Sequence, residues 1–384
     1  CSIASSIGVQ RVRCVINVDV VVIGAGVAGL SAAASISQSA EVLVLERESQ
    51  SGYHSSGRSA AYFAPAYGNQ VVQLLTRLSA EDYLHPASYF DDQLLAPRAS
   101  LFVARADQGQ AVERMQAAQP RLEKLDHDAM RRRVPLLTTH CEHGLFDAEG
   151  GDLNVHAILQ GYRRQLRQKG ADLRVDAEVI AVTSLGQGWE VACANGLTVR
   201  ATKVVNAAGA WADAIGQLAG LSPLGLIPKR RTACLVQPQA DWNVDEWPMV
   251  INIDEEVYFK SEAGQLMVSP ADETDSVPCD AQPEVIDVAI AIDRYQQIID
   301  HPDAVPTHTW AGLRTFAPDR TFVVGPDPRL AGFYWLAGQG GYGVQSAPAM
   351  ARLAAQMVLD QPVDKAAQPI VQQVRPNRLI KGDS

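Results

Sequence analysis

Three glycines, Gly24, Gly26 and Gly29, stand at G-x-G-x-x-G spacing inside VVIGAGVAGLSAAASIS, residues 21–37. At that spacing the first permits a tight turn, the second lets backbone approach a pyrophosphate, and the third lets a helix pack closely on a strand. A helix starting there presents the positive end of its dipole to phosphates. Glu46 lies about twenty residues on, where an acid can bind both hydroxyls of an adenosine ribose. The spacing predicts a dinucleotide site; taken alone, the triplet would serve equally well as a packing turn.

A second glycine cluster, Gly338, Gly340, Gly341 and Gly343, follows an apolar run near the other end of the chain. The run reads as strand, glycine turn and helix, and a glycine-lined helix start of this kind is what a long, extended cofactor would need at its far end. The pyrimidine edge of a flavin becomes anionic on reduction, and a helix N-terminus aimed there would stabilise it by about 1 kcal/mol. A nicotinamide enzyme normally completes its sheet soon after the first fingerprint, so the pattern favours FAD.

The elements that must position these residues follow from patterning. Val18 to Ile23 is β-branched and reads as a strand buried on both faces, Leu30 to Ile36 as a helix pressed to the sheet, and Val42 to Leu45 as a second strand ending at Glu46. RLEKLDHDAMRRRV, residues 121–134, reads as helix, and the segment after Gly150-Gly151 reads as a helix capped at Gly170. Turn pairs at Gly186-Gln187 and Asn195-Gly196 separate short strands, the last running into a helix over WADAIGQLAG. EEVYFKSEAGQLMVS reads as a hairpin turning at Glu262 to Gly264, and the texture beyond Thr309 returns to alternating strand and helix.

The chain of 384 residues is 47% hydrophobic, enough for more than one core, and two domains are expected. With 33 basic against 43 acidic residues the formal charge is −10, which disfavours nucleic-acid binding; Arg131-Arg132-Arg133 reads as a solvated helix face. The six cysteines, Cys1, Cys14, Cys141, Cys193, Cys234 and Cys279, form no CxxC pair and read as reduced thiols. His140-Cys141-Glu142-His143 has no second cluster at ligand spacing and reads as a loop, so no metal is expected. Residues 1 to 18 lack a signal-peptide core and read as a start-site remnant or a transit-type segment. Val18 to Ile36 is apolar, but its glycines and Asp19 argue against a transmembrane segment. A cytoplasmic protein is expected, with peripheral contact to an inner membrane as the alternative.

VVIGAGVAGLSAA, VLERESQSGYHSSGRSAAYF, VVNAAGAWADAIG, IPKRRTA, EEVYFK, TWAGLRTFAPD and GQGGYGVQSAPAMA together resemble the D-amino-acid oxidase-type flavoprotein family, in particular its bacterial D-arginine dehydrogenases. The resemblance spans Val18 to about Leu359. It implies an α/β fold with a Rossmann-like FAD-binding domain built from discontinuous segments, 18–90, 150–222 and 310–372. An inserted, mostly β (α+β) substrate domain covers 91–149 and 223–309, with tails at 1–17 and 373–384. The implied activity is oxidative deamination of a D-amino acid: hydride passes from Cα to flavin N5, and water releases the 2-oxo acid and ammonia.

Residue by residue, the resemblance implies that Arg231 and Arg314 hold the substrate carboxylate, for which planar guanidinium suits a bidentate pair. It assigns the hydroxyl of Tyr258 to the same carboxylate and the backbone carbonyl of Gly341 to the amine. It also implies cofactor contacts from Arg47, His54, Ser55, Arg58, Ser59, Ala208 and Gly209, and from Gly338, Gly340, Gly341, Tyr342 and Gly343. His54 reads as flavin-lining or loop-structuring, and no cysteine adjoins the C-terminal flavin motifs, so FAD is expected to be non-covalent. No dedicated general base stands out. Two positions depart from the D-arginine enzymes: Tyr62 replaces a histidine, and Ser100 replaces the glutamate that receives the guanidinium. Losing that carboxylate disfavours a cationic side chain, so an uncharged or apolar side chain is expected, lined by Tyr62, Tyr67 and Ser100. A small-molecule amino acid is the expected partner, with a quinone, an electron-transfer protein or oxygen taking the electrons. Secondary amines, glycine and 2-hydroxy acids are the alternatives within the fold, and a flavin-binding subunit without turnover is the alternative outside catalysis.

Overall fold

The structure, a computed structural model, describes residues 15–380. Strand β1 (Val15–Ile23), helix α1 (Val27–Ile36) and strand β2 (Val42–Leu45) form the βαβ unit. Val20 to Ile23 align in parallel with Val42 to Leu45 on one side and with Lys203 to Asn206 on the other. Both faces of that stretch are covered, which is why it carries no polar alternation. β1 begins at Val15 rather than Val18, pairing with Thr198 onward, so residues 15–17 belong to the sheet and not to a tail. The reading of residues 1–14 lies outside the described residues.

α1 is built largely of alanine and buried almost all round, and its small side chains let it lie close to the helices Ala347–Val358 and Val155–Gln168. The parallel core of an eight-stranded sheet comprises β1, β2, Asp172–Arg174, Thr198–Asn206 and Phe333–Ala337. The hairpin Val179–Ser184/Trp189–Cys193 and the strand Val323–Pro326 extend it antiparallel.

A nine-stranded, mostly antiparallel sheet carries the other wall of the site. Near one edge of this sheet the strand Ile227–Val236 pairs with Pro306–Phe316 on one side and with Gln265–Ser269 and Thr274–Asp275 on the other. The hairpin Tyr258–Glu262/Gln265–Ser269 turns where the sequence predicted. The boundary expected between residues 309 and 310 falls inside Pro306–Phe316, a continuous strand of this sheet.

Three further expectations are corrected. Residues 121–134 are not one helix: Glu123–Asp126 is a strand paired with His143–Asp147, and Asp126 then caps the short helix His127–Arg131 by accepting from Ala129 N–H. Cross-strand pairing overrides the helix-favouring Glu-Lys-Leu here. The cluster Gly338 to Gly343 is the expected turn between the strand Phe333–Ala337 and a helix, but the helix begins only at Ala347, with Pro348 in its first turn, so the glycines precede the helix and do not line its start. The C-terminal segment is not a loose tail through Ile380: Leu379 and Ile380 pack on the core, and Arg378 pairs with Asp319.

Among the described residues no helix is long and apolar enough to cross a membrane, and no three His, Cys, Asp or Glu side chains gather as a metal site. Cys141, Cys193, Cys234 and Cys279 carry free thiols.

Candidate active site

A cavity of about 610 Å³ runs from the glycine turn after β1 to the paired strands of the second sheet. At the first end Gly24 has φ +105°, and a Cβ there would stand 2.5 Å from the Ala207 carbonyl oxygen, so only glycine makes this turn. Gly29 lies outside the cavity wall and serves packing, since a Cβ would fall 1.9 Å from the Gly24 carbonyl oxygen. Gly26 faces the cavity, where an added Cβ would meet only Ser56 Oγ, at 3.3 Å. Ser56 Oγ accepts the first amide of α1, from Val27, at 2.9 Å.

Glu46 is buried at the end of β2, and its two oxygens accept from the amides of Ala25 at 2.7 Å and Glu48 at 3.0 Å. Those bonds fix the carboxylate and leave acceptor capacity on both oxygens for ribose hydroxyls. Beside it Trp211 forms part of the wall, with the Arg47 guanidinium 4.7 Å over its ring and His54 packed at 4.7 Å. His54 Nε2 is held 2.9 Å from Glu48 Oε1, an anchoring contact for its loop. Ser55 Oγ donates to the Leu313 carbonyl, and Arg58 donates to the carbonyls of Ala281 and Ala311, each at 3.1 Å. Ser59 Oγ donates to the Ser56 carbonyl. The bonds to Leu313 and Ala311 tie the loop after β2 to the second sheet, and the loop lines the cavity, as do Ala208 and Gly209.

At the far end the wall is formed by Arg231, Ala233, Tyr258, Met267 and Arg314 from the sheet, and by Gly340, Gly341, Gly343 and Val344 from the glycine turn. Arg231 sits opposite Gly312 and Arg314 opposite Lys229 in the paired strands, so both arginines lie on one face. Arg314 Nη2 donates to Tyr258 Oη at 3.1 Å. Arg231 Nε donates to the Asp272 carbonyl at 2.8 Å and Nη2 to Glu273 Oε1 at 3.2 Å, while Nη1 is buried without a partner. Arg314 has no carboxylate within 4.0 Å among the described residues. Burial pushes the Tyr258 phenol up, but Arg314 and Arg231 outweigh it and hold its pKa below the usual tyrosine value. Gly341 closes against this clamp, since a Cβ there would stand 2.7 Å from Arg314 Nη1. Among the described residues the amides of Gly341, Gly343 and Val344 donate to no protein acceptor, giving the turn donors for an anionic group.

Six of the expected site residues lie outside the wall: Gly29, Gly338, Tyr342, Tyr62, Tyr67 and Ser100. Tyr62 Oη donates to the Arg98 carbonyl at 2.7 Å and meets Ser100 Oγ at 2.9 Å, so both hydroxyls are spent inside the protein. Ser100 is buried in a strand between Met249 and Asp147. Tyr67 donates to Glu255 Oε2 and packs edge-on against Tyr342, behind the glycine turn. Conversely, Ser56, Trp211, Ala233, Met267 and Gln339 line the cavity without being anticipated. Trp211 was within reach of the sequence, because it closes the VVNAAGAW motif.

A glycine turn open to pyrophosphate, an acid placed for a ribose and a remote nest of amides, joined by one elongated cavity, define a flavin dinucleotide oxidoreductase. The chain belongs to the FAD dependent oxidoreductase family, whose model matches residues 19–357. FAD is its cofactor, and the residues present fit it: the Gly26 face is open where a side chain would obstruct, and Glu46 is pre-oriented. The chain is 26% identical to the Bos taurus FAD-dependent oxidoreductase domain-containing protein 1, over 89% of this chain and 81% of that one. It is 24% identical to the glycine oxidase of Pseudomonas aeruginosa, over 88% and 94%. The structure of L-proline dehydrogenase from P. horikoshii shares the fold with a TM-score of 0.81, at 21% identity and covering 94% of this chain and 98% of that chain.

Proposed function

We propose that the chain is a dehydrogenase of α-amino acids with uncharged side chains, acting on the D enantiomers. The observation that carries this reading is the clamp of Arg231 and Arg314 at the glycine-turn end of the cavity. Among the described residues Arg314 has no carboxylate partner, and a half-buried guanidinium left unneutralised beside an apolar wall is costly. A substrate carboxylate repays that cost and is fixed in one orientation by two planar donors and the Tyr258 hydroxyl. The resemblance supplies the D preference and gives the Gly341 carbonyl the substrate amine.

FAD, when bound, supplies the two-electron acceptor. The protein aligns Cα–H by holding the carboxylate; as that bond breaks, a C=N bond forms, and water then adds and ammonia leaves. The clamp is bordered by Ala233, Met267 and Tyr258 and carries no histidine or carboxylate in the wall beside them. The amine proton therefore passes to water rather than to a placed base. Among the described residues the carboxylates in the wall are Glu46 and Glu178, both at the β2 end, where Glu46 also binds Ala25. A cationic side chain near Arg314 would find no counter-charge in the wall, which supports uncharged substrates.

The test is turnover by purified holoenzyme with a dye acceptor. D-Methionine, D-leucine and D-phenylalanine are expected to give 2-oxo acid and ammonia in equal amounts and faster than D-arginine. Equal or better turnover of D-arginine contradicts the side-chain reading, and stoichiometric hydrogen peroxide in air would make the enzyme an oxidase. A second reading, oxidation of glycine or a secondary amine, is favoured by the relatives named for glycine and L-proline; turnover of those alone would select it.

A further inference from the structure

Arg231 is held from outside the cavity, by the 272–273 segment beyond its own strand. Its Nε donates to the Asp272 carbonyl at 2.8 Å, and its Nη2 donates to Glu273 Oε1 at 3.2 Å. Glu273 is not in the cavity wall, and it is itself gripped: Arg320 donates through Nη1 to Oε2 at 2.9 Å and through Nη2 to Oε1 at 2.8 Å. That is a two-pronged carboxylate clasp, the strongest geometry open to this pair. Arg320 in turn lies 4.1 Å over the Phe316 ring. The Phe316 ring stands where a Cβ on Gly340 would fall, 2.2 Å from its Cε1. The contacts run in an unbroken line from the carboxylate-binding guanidinium through Glu273, Arg320 and Phe316 to the glycine turn.

Resting on the proposed function above, we infer that Glu273 is a positioning residue that sets the orientation of Arg231 for the substrate carboxylate, and that Arg320 holds Glu273 in place for this task. Two of the three nitrogens of the Arg231 guanidinium are bound to the 272–273 segment, so the plane of the group is fixed and only Nη1 is left unclaimed. Without Glu273, the guanidinium keeps a single anchor at Asp272 and can rotate about it. Burial pushes the Glu273 carboxyl up, but Arg320 outweighs this and keeps the pKa low, so the clasp stays charged at neutral pH. The clasp also cancels one positive charge locally, which leaves Arg231 and Arg314 as the two cations facing a bound anion.

The experiment uses holoenzyme titrated with acetate at neutral pH, followed by the change in flavin absorbance, together with steady-state kinetics on the best amino acid. E273A is expected to weaken acetate binding and raise KM about tenfold, the loss of one charge-assisted hydrogen bond, with kcat little changed. R320M is expected to act in the same direction and to add nothing on top of E273A, because both act through one contact. E273D, which keeps the charge but shortens the reach, gives the same weakening and serves if E273A does not fold. Acetate binding in E273A as tight as or tighter than in the wild type would overturn the inference, making Glu273 a competitor for Arg231. Full additivity of R320M and E273A would overturn the role given to Arg320. Wild-type holoenzyme that binds no acetate would instead overturn the carboxylate clamp itself, and with it the proposed function.

Discussion

Each arginine of the clamp is supported by a different set of neighbours, and the two fail differently. Among the described residues Arg314 is paired only with a neutral phenol, and under the proposed function its charge is directed at the ligand. R314M is expected to lower kcat/KM by about 2–5 kcal/mol, roughly 30- to 5000-fold, because a buried charge pair loses one partner. FAD retention should be unaffected, and flavin absorbance of the purified variant checks that. Tyr258 gives a pH prediction. Its pKa lies below the usual tyrosine value because Arg314 and Arg231 outweigh burial. Above that pKa the phenolate no longer donates and repels an anion, so acetate binding should weaken on an alkaline limb that begins below the ordinary tyrosine range. For folding the sign is opposite: a lowered pKa means the native state releases the proton first, so stability rises with pH between the folded and unfolded values. Y258F should abolish the alkaline limb, and an unchanged limb in that variant would assign it to another group.

At this scale the sequence was legible where a motif fixes the backbone. Gly24, Gly26, Glu46, Arg231, Arg314 and Tyr258 all stand in the cavity wall. Tyr62 and Ser100 do not, because their hydroxyls turn to each other and to the Arg98 carbonyl, an orientation that only the packed sheets decide. Glu273 was silent for a similar reason: its segment carries no motif, and its value lies in reaching across to Arg231 and Arg320.

Among the elements, the βαβ unit was readable because β1 and β2 are buried on both faces and carry uninterrupted apolar runs. Glu123–Asp126 was not, since its partner strand His143–Asp147 lies well beyond any local window. The glycine turn between strand and helix was legible, but the helix starts later than the glycines suggest: what they contribute is unclaimed amides and close contact with Arg314, not the first turn of a helix. That close contact makes Gly341 the most sensitive position of the turn. G341A places a methyl against the Arg314 guanidinium, and overpacking of this kind costs about 1–3 kcal/mol. Acetate affinity should fall by roughly the corresponding 5- to 150-fold while FAD remains bound. Unchanged acetate affinity would mean that the turn yields and that the clamp does not depend on it.

For the whole molecule, the cavity wall draws on both large sheets, and the loop after β2 is bonded across to the second sheet through Ser55 and Arg58. FAD should therefore stabilise the entire fold, by about 2.7 kcal/mol at a hundredfold excess over its dissociation constant. Calorimetry of apoprotein with added FAD is expected to show one transition moving upward; two transitions of which only one moves would separate the sheets energetically. The central claim, that the clamp beside the flavin receives the carboxylate of an uncharged D-amino acid, is tested most directly by anaerobic bleaching. Yellow holoenzyme is mixed without oxygen with D- and L-amino acids, D-arginine included, and then exposed to air. Rapid bleaching by uncharged D-amino acids, with slow recolouring in air, is the expected result. Preferential bleaching by D-arginine, or no bleaching by any amino acid, would contradict it.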